Sequence, residues 1–130
     1  MYGQHITLPG PFASALDKVT AALKDQGFGV LSDIDIQKAM KDKLGVDMPA
    51  YRILGACNPP LAHRALQAEP EIGLLLPCNV TVREQPDGRV VVGFLDPQTM
   101  VQLTPNPGVA AVADEAGQRL QRAREALSGG

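Results

Sequence analysis

A β-hairpin in the second half of the chain is the feature that most restricts the fold. Between residues 79 and 84, Val80 and Val82 alternate with Thr81 and Arg83, and a second apolar run with valines at 90 to 92 follows. The tripeptide at 86–88, Pro-Asp-Gly, separates the two runs, and residues of these types form tight turns. The pattern therefore predicts two antiparallel strands.

Helix and strand signals alternate along the rest of the chain. Apolar residues at helical spacing predict a helix that starts after Pro11 and ends at Gly27, a second helix capped by Asp35 that ends at Gly45, and a terminal helix over residues 109–127. A further helix should start at Asn58, with Pro59 as its first residue, and run to about residue 68. The remaining apolar runs predict strands at 2–8, 28–34, 51–57 and 72–76.

These elements predict a single α+β domain over residues 1–130. The expected order is β-α-β-α-β-α-β-β-β-α, with a linker of about ten residues after Asp96-Pro97 and a frayed tail at 128–130. The sheet should be mostly antiparallel, with helices packed on it.

The composition excludes several classes of function. Hydrophobic residues make up 45% of the 130, so the chain can form a core, and its 12 basic residues nearly balance 14 acidic ones, which is unfavourable for nucleic-acid binding. The first residues lack the pattern of a signal peptide, and no apolar run is long enough to span a bilayer. Two cysteines without an export signal predict reduced thiols in a cytoplasmic protein.

Two segments together identify the chain as similar to a known family. Residues 51–59, Tyr-Arg-Ile-Leu-Gly-Ala-Cys-Asn-Pro, and residues 75–80, Leu-Leu-Pro-Cys-Asn-Val, resemble the core of the domain of unknown function 302 family. The end of the first helix, the acidic segment 33–35 and Asp96-Pro97 resemble it as well. The resemblance implies a fold like that of the TATA-binding protein, a curved antiparallel sheet with helices on one face, often paired as a homodimer. It implies no DNA binding and no established activity.

Cys57 and Cys78 are the candidate site residues. Cys57 lies just before the helix that Asn58 caps, where the free amides favour an anion and lower the pKa of a thiol. If strands 51–57 and 72–76 run parallel, both thiols lie at one edge of the sheet. They could then bind a soft ion such as copper(I) or zinc, or form a disulfide. The alternative is that both cysteines are small buried hydrophobes.

Other polar residues give weaker signals. His63 would complete a metal or haem site with Cys57 and Cys78, but its polar neighbours indicate a solvent-facing position. Asp33 and Asp35 could share a magnesium ion, although a helix cap explains Asp35 better.

Three hypotheses of function follow from these residues. The first is a non-enzymatic homodimer that binds a small molecule or soft metal ion near Cys57 and Cys78. The second is a thiol-redox or sulfur-transfer enzyme with Cys57 as the nucleophile. The third is a structural or regulatory interaction module with inert thiols. The catalytic templates of hydrolases, nucleotide-binding loops and zinc proteases are missing from the sequence, which favours a protein that is not an enzyme.

Overall fold

Five strands form one antiparallel sheet in the order β1-β5-β4-β3-β2 in a computed structural model that describes residues 2–129. The strands are β1 (Gly3–Leu8), β2 (Gly29–Asp35), β3 (Tyr51–Cys57), β4 (Cys78–Glu84) and β5 (Val90–Leu95). The helices are α1 (Phe12–Asp25), α2 (Ile36–Leu44), α3 (Pro59–Ala68), α4 (Gln98–Leu103) and α5 (Pro107–Gly129), with a 3₁₀ helix at Pro70–Leu75. The predicted α+β class is confirmed.

The predicted hairpin forms the centre of the sheet. Val80 of β4 pairs with Phe94 of β5, and Val82 pairs with Val92. The turn needs glycine at one position, because Gly88 has a φ of 84°, in the left-handed region that side chains disfavour. Strand β3 extends the sheet on one side of the hairpin and β1 extends it on the other.

The predicted helix ends are confirmed by backbone hydrogen bonds. Gly27 follows α1 with a φ of 84°, and its N–H donates to the carbonyl of Lys24 at 3.0 Å. The N–H of Phe28 donates to the carbonyl of Leu23 at 2.9 Å, which completes a Schellman motif. At the start of α2, the Asp35 carboxylate accepts from the N–H of Lys38 at 2.9 Å.

One face of the sheet carries the main core. Helix α1 and the C-terminal half of α5 pack on this face. Because side chains alternate across a strand, every second residue of the central strands is buried against the helices. The fully buried members with the largest side chains are Val19, Leu23, Leu54, Val80, Val82, Val90 and Val92.

A second core lies beyond the end of the sheet. The N-terminal half of α5 packs there against α3, the 3₁₀ helix and α4. Its buried side chains are Leu61, Ala65, Ile72, Met100, Val109, Val112, Ala113 and Ala116. Helix α5 therefore joins the two cores, since its two halves contribute to different ones.

The prediction of a strand at residues 72–76 is wrong. This apolar segment lies mostly in the 3₁₀ helix, where Ile72 is buried and its N–H donates to the carbonyl of Glu69 at 3.0 Å. A short apolar run gives the same signal whether it forms a buried strand or a buried helical turn. The prolines at positions 70 and 77 flank the segment and restrict it to this short element.

The predicted linker after Asp96-Pro97 is also wrong in part, because residues 98–103 form α4. The Asp96 carboxylate accepts from the N–H of Gln98 at 2.9 Å and so stabilises the first turn of α4.

At the C-terminal end of the described chain, Ser128 and Gly129 lie in the last turn of α5, and Gly130 lies outside the described residues. The predicted fraying of residues 128–130 stays a prediction. Within residues 2–129, the structure contains no helix that is both long and apolar enough to cross a bilayer.

Candidate ligand cavity

The two cysteines lie at the same end of the sheet, but not in the way that the sequence predicted. Cys57 is the last residue of β3 and Cys78 is the first residue of β4. These strands are neighbours and run antiparallel, with Ala56 directly opposite Cys78. The expected parallel pair does not exist, because residues 72–76 form no strand. The antiparallel pairing of β3 with β4 brings the cysteines together instead.

Both cysteines line one cavity of about 330 Å³, which we call the thiol cavity. Its walls come from the ends of β2 and β3, from α3, from the segment before β4, and from α4 and α5. Most lining side chains are apolar, among them Phe28, Leu61, Ala65, Met100, Val112 and Ala116. Ser32, Asn58 and the two thiols are the polar groups, and no charged residue of the described chain lines the cavity.

Asn58 lines the thiol cavity, and its side chain is held in place by the helix that it caps. Its side chain is buried, and its Oδ1 accepts from the N–H of Leu61 at 3.2 Å, as predicted for the N-cap of α3. The side chain packs so closely over Gly27 that a Cβ on that glycine would lie 2.9 Å from Nδ2. The N-cap residue of α3 and the glycine that follows α1 are therefore in close contact.

The thiols are shifted toward the protonated form. Burial raises the pKa of the half-buried Cys57 thiol, whereas the sequence predicted a lowered value from the helix end. Burial, and to a smaller extent the charge of a Cys57 thiolate, raises the pKa of the Cys78 thiol to about 11. At neutral pH both groups are thiols, which is unfavourable for the hypothesis that Cys57 is an enzymatic nucleophile.

Gly55 has no side chain, which leaves space for two residues that line the thiol cavity, Ser32 and Pro77. A Cβ at this position would overlap the hydroxyl of Ser32 and would lie 2.8 Å from Cγ of Pro77. Ser32 and Pro77 both line the thiol cavity. A residue without a side chain is therefore needed where β2 and the segment before β4 meet.

The other candidate ligands of the sequence lie elsewhere. His63 is exposed on α3 and does not line the thiol cavity, so neither a metal nor a haem in the cavity would receive a ligand from it. Asp33 and Asp35 face Arg52, whose guanidinium lies 2.8 Å and 3.5 Å from their carboxylates. This ion pairing accounts for the acidic pair without magnesium. Across residues 2–129, no group of three or more histidine, cysteine, aspartate or glutamate side chains is placed to hold a metal ion.

Sequence reasoning missed the wall that α4 and α5 provide. Met100 lies in the segment that was predicted as a linker, and Val112 and Ala116 lie in the predicted terminal helix, to which no part in a site was assigned. The helical spacing of Met100 and Leu103 was the available signal for α4. It was weak, since the helix is only six residues long.

The fold defines a small α+β domain with an open antiparallel sheet, and the comparisons with known proteins assign it to a family. The model of the family described as domain of unknown function DUF302 matches residues 4–127. The chain therefore belongs to this family, as its Cys-Asn-Pro and Leu-Pro-Cys segments indicated.

Two further proteins are similar to this chain, and the first is named as a member of the same family. A crystal structure of the uncharacterized conserved protein DUF302 from Bacillus stearothermophilus is 25% identical in sequence and superposes with a TM-score of 0.88, covering 98% of each chain. An uncharacterized protein of Aquifex aeolicus (strain VF5) is 25% identical over 92 residues. That match spans 71% of this chain and 58% of the length of the Aquifex protein.

Proposed function

We propose that this protein is a homodimeric binding domain that holds a small, uncharged, apolar molecule in the thiol cavity. The observation that carries the proposal is a cavity of about 330 Å³ whose walls are apolar and whose few polar groups converge at Cys57, Asn58 and Cys78. Small-molecule sites in proteins have this size and this character.

The absence of charge in the described lining supports an uncharged ligand. A charged group that entered the cavity would lose its hydration without gaining an ion pair, at a cost of several kcal/mol. An apolar ligand gains free energy from leaving water, by about 25 cal/mol for each Å² that it buries. The thiols and Asn58 would then orient one polar group of the ligand.

A titration with 1-hexanol followed by NMR tests the proposal. We expect chemical-shift changes to concentrate at residues that line the thiol cavity. The variant Ala62→Trp should abolish them, because Ala62 lines the cavity and the indole would fill it. Gln67→Trp is the matched control, since this residue is exposed on the same helix and does not line the cavity. Unchanged binding of 1-hexanol to a folded Ala62→Trp protein would refute the proposal.

A soft metal ion is a second candidate ligand, because two sulfur atoms line one cavity. Cys78 pairs directly with Ala56, the residue before Cys57, so the two cysteines are neighbours across β3 and β4. Copper(I) prefers thiolate ligands and would displace both thiol protons on binding. Zinc fits less well, since structural zinc takes four ligands and these two cysteines supply only half of them.

Competition for copper(I) with a bathocuproine chelator tests this second candidate. We expect the double variant Cys57→Ala, Cys78→Ala to lose at least tenfold in affinity, whereas His63→Ala keeps the affinity of the wild type. Equal affinities of the double variant and the wild type would exclude a site at these cysteines.

The homodimer is supported by the sheet face opposite α1 and α5. Residues on this face alternate with the core residues, and on β2 and β3 they include Ile34 and its cross-strand partner Ile53. Ile34 is 48% exposed. The β2 edge is a poorer contact, because a bulge after Val30 and the carboxylates of its second half protect it from pairing. We therefore propose that the dimer contact lies on the sheet face opposite α1 and α5.

A further inference from the structure

We infer that the ligand is an elongated, uncharged chain that extends from the thiol cavity into a second cavity beside it. This inference rests on the proposed function and adds the shape of the ligand. The second cavity, which we call the leucine cavity, measures about 250 Å³ and lies between the 3₁₀ helix and α4. Its own lining includes Leu74, Leu75, Thr99 and Leu103.

The two cavities share one wall. Leu76, Pro77 and Met100 each line both of them. Met100 is the movable part of this wall, because a methionine side chain is unbranched and adopts many rotamers. Met100 is buried in this wall and belongs to the second core, so in the proposal its side chain rotates to let the ligand pass. A chain held at the cysteines would then reach the leucine cavity across the shared wall.

The chemistry of the leucine cavity matches that of the thiol cavity. Its polar lining groups are Asn79 and Thr99, and no charged residue of the described chain lines it. A single molecule that is uncharged along the part held in the two cavities fits both of them, because a charge inside either cavity would lose hydration without gaining a partner.

The rim of the leucine cavity carries apolar side chains that are strongly exposed. Leu74 is 82% exposed and Leu103 is 64% exposed. Covering them with an apolar chain is favourable, because it removes apolar surface from water. The far end of the ligand would lie against these two residues.

Affinities for straight-chain alcohols from 1-hexanol to 1-dodecanol, measured by calorimetry, test the inference. In the wild type we expect affinity to rise roughly fourfold for each added methylene until both cavities are filled. Thr99→Trp should leave 1-hexanol binding unchanged and stop this rise at shorter chains, because Thr99 lines the leucine cavity alone. Gln102→Trp, at an exposed position of α4 outside both cavities, should behave like the wild type.

A second variant keeps the test decisive if Thr99→Trp does not fold. Leu74→Gln changes an exposed residue and should weaken the binding of 1-dodecanol severalfold while 1-hexanol binds normally. If the folded variants show the chain-length dependence of the wild type, the inference is wrong and the proposed function still stands. If Ala62→Trp leaves the binding of every alcohol unchanged, the proposed function fails and the inference fails with it.

Discussion

At the scale of single residues, two glycines near the thiol cavity allow segments of the chain to pack closely together. Gly27 lies under the Asn58 side chain, and Gly55 lies between Ser32 and Pro77. Neither close approach could be read from the sequence, since a glycine gives no indication of what will pack on it, whether it follows a helix, as Gly27 does, or lies in a strand, as Gly55 does. The caps at Asp35 and Asn58 were predictable, because each depends on a backbone group only three residues away.

Gly55→Ala should destabilise the protein by about 1–3 kcal/mol, because the added methyl group overlaps Ser32 and Pro77. Gly29→Ala is a suitable control, since Gly29 also lies in a strand and has open space where its Cβ would be. Urea unfolding of both variants measures the difference. Equal stability of the two variants would show that the contact at Gly55 relaxes without cost.

Because the Cys78 thiol is buried, the free energy of unfolding should fall as the pH rises into the alkaline range. The folded pKa is about 11 and the ordinary value is 9.0, so the stabilising contribution is present below pH 9 and is lost as the pH rises to 11. A shift of this size corresponds to roughly 3 kcal/mol. We expect the wild type to lose more stability than Cys78→Ala between these pH values, as measured by urea unfolding. Equal losses of stability in the two proteins would mean that the Cys78 thiol ionises in the folded protein as easily as in the unfolded one.

At the scale of elements, the 3₁₀ helix and α4 are where sequence and structure differ most. Both are short, and both contribute to the second core instead of the sheet. The sequence pattern of the segment at 72–76 is equally compatible with a strand, and what decides the matter is the packing of Ile72 against α5 and its neighbours. Long elements such as α1 and α5 were predicted correctly, because a helical repeat over many residues has few other interpretations.

Ile72→Ala should cost about 2–5 kcal/mol, since its side chain is fully buried in the second core. Leu74→Ala in the same 3₁₀ helix should change stability by less than about 0.5 kcal/mol, because Leu74 is 82% exposed. Thermal or urea unfolding compares the two variants. A small effect of Ile72→Ala would argue against the packing of this helix on α5.

At the scale of the whole molecule, α1 and α5 bury one face of the sheet, and Ile34 and Ile53 lie on the opposite face. A second copy of the chain is the occupant that we propose for this face.

Light scattering coupled to size-exclusion chromatography should give the mass of a dimer at micromolar concentration for the wild type. Ile34→Lys should shift the protein toward monomer without loss of stability, because Ile34 is 48% exposed and its replacement places a charge in the proposed contact. Lys18→Glu on the exposed side of α1 is a control that should remain dimeric. A monomeric wild type at these concentrations would rule out the dimer.

The sequence by itself determined the α+β class, the central hairpin, the long helices and their caps. All of these depend on residues that are neighbours in the chain or that repeat with a regular period. Only the tertiary structure decided that Cys57 and Cys78 share a cavity and which residues close it. The physical reason is that the walls come from segments as distant as Phe28 and Ala116, and such contacts are set by packing, which leaves no local pattern in the sequence.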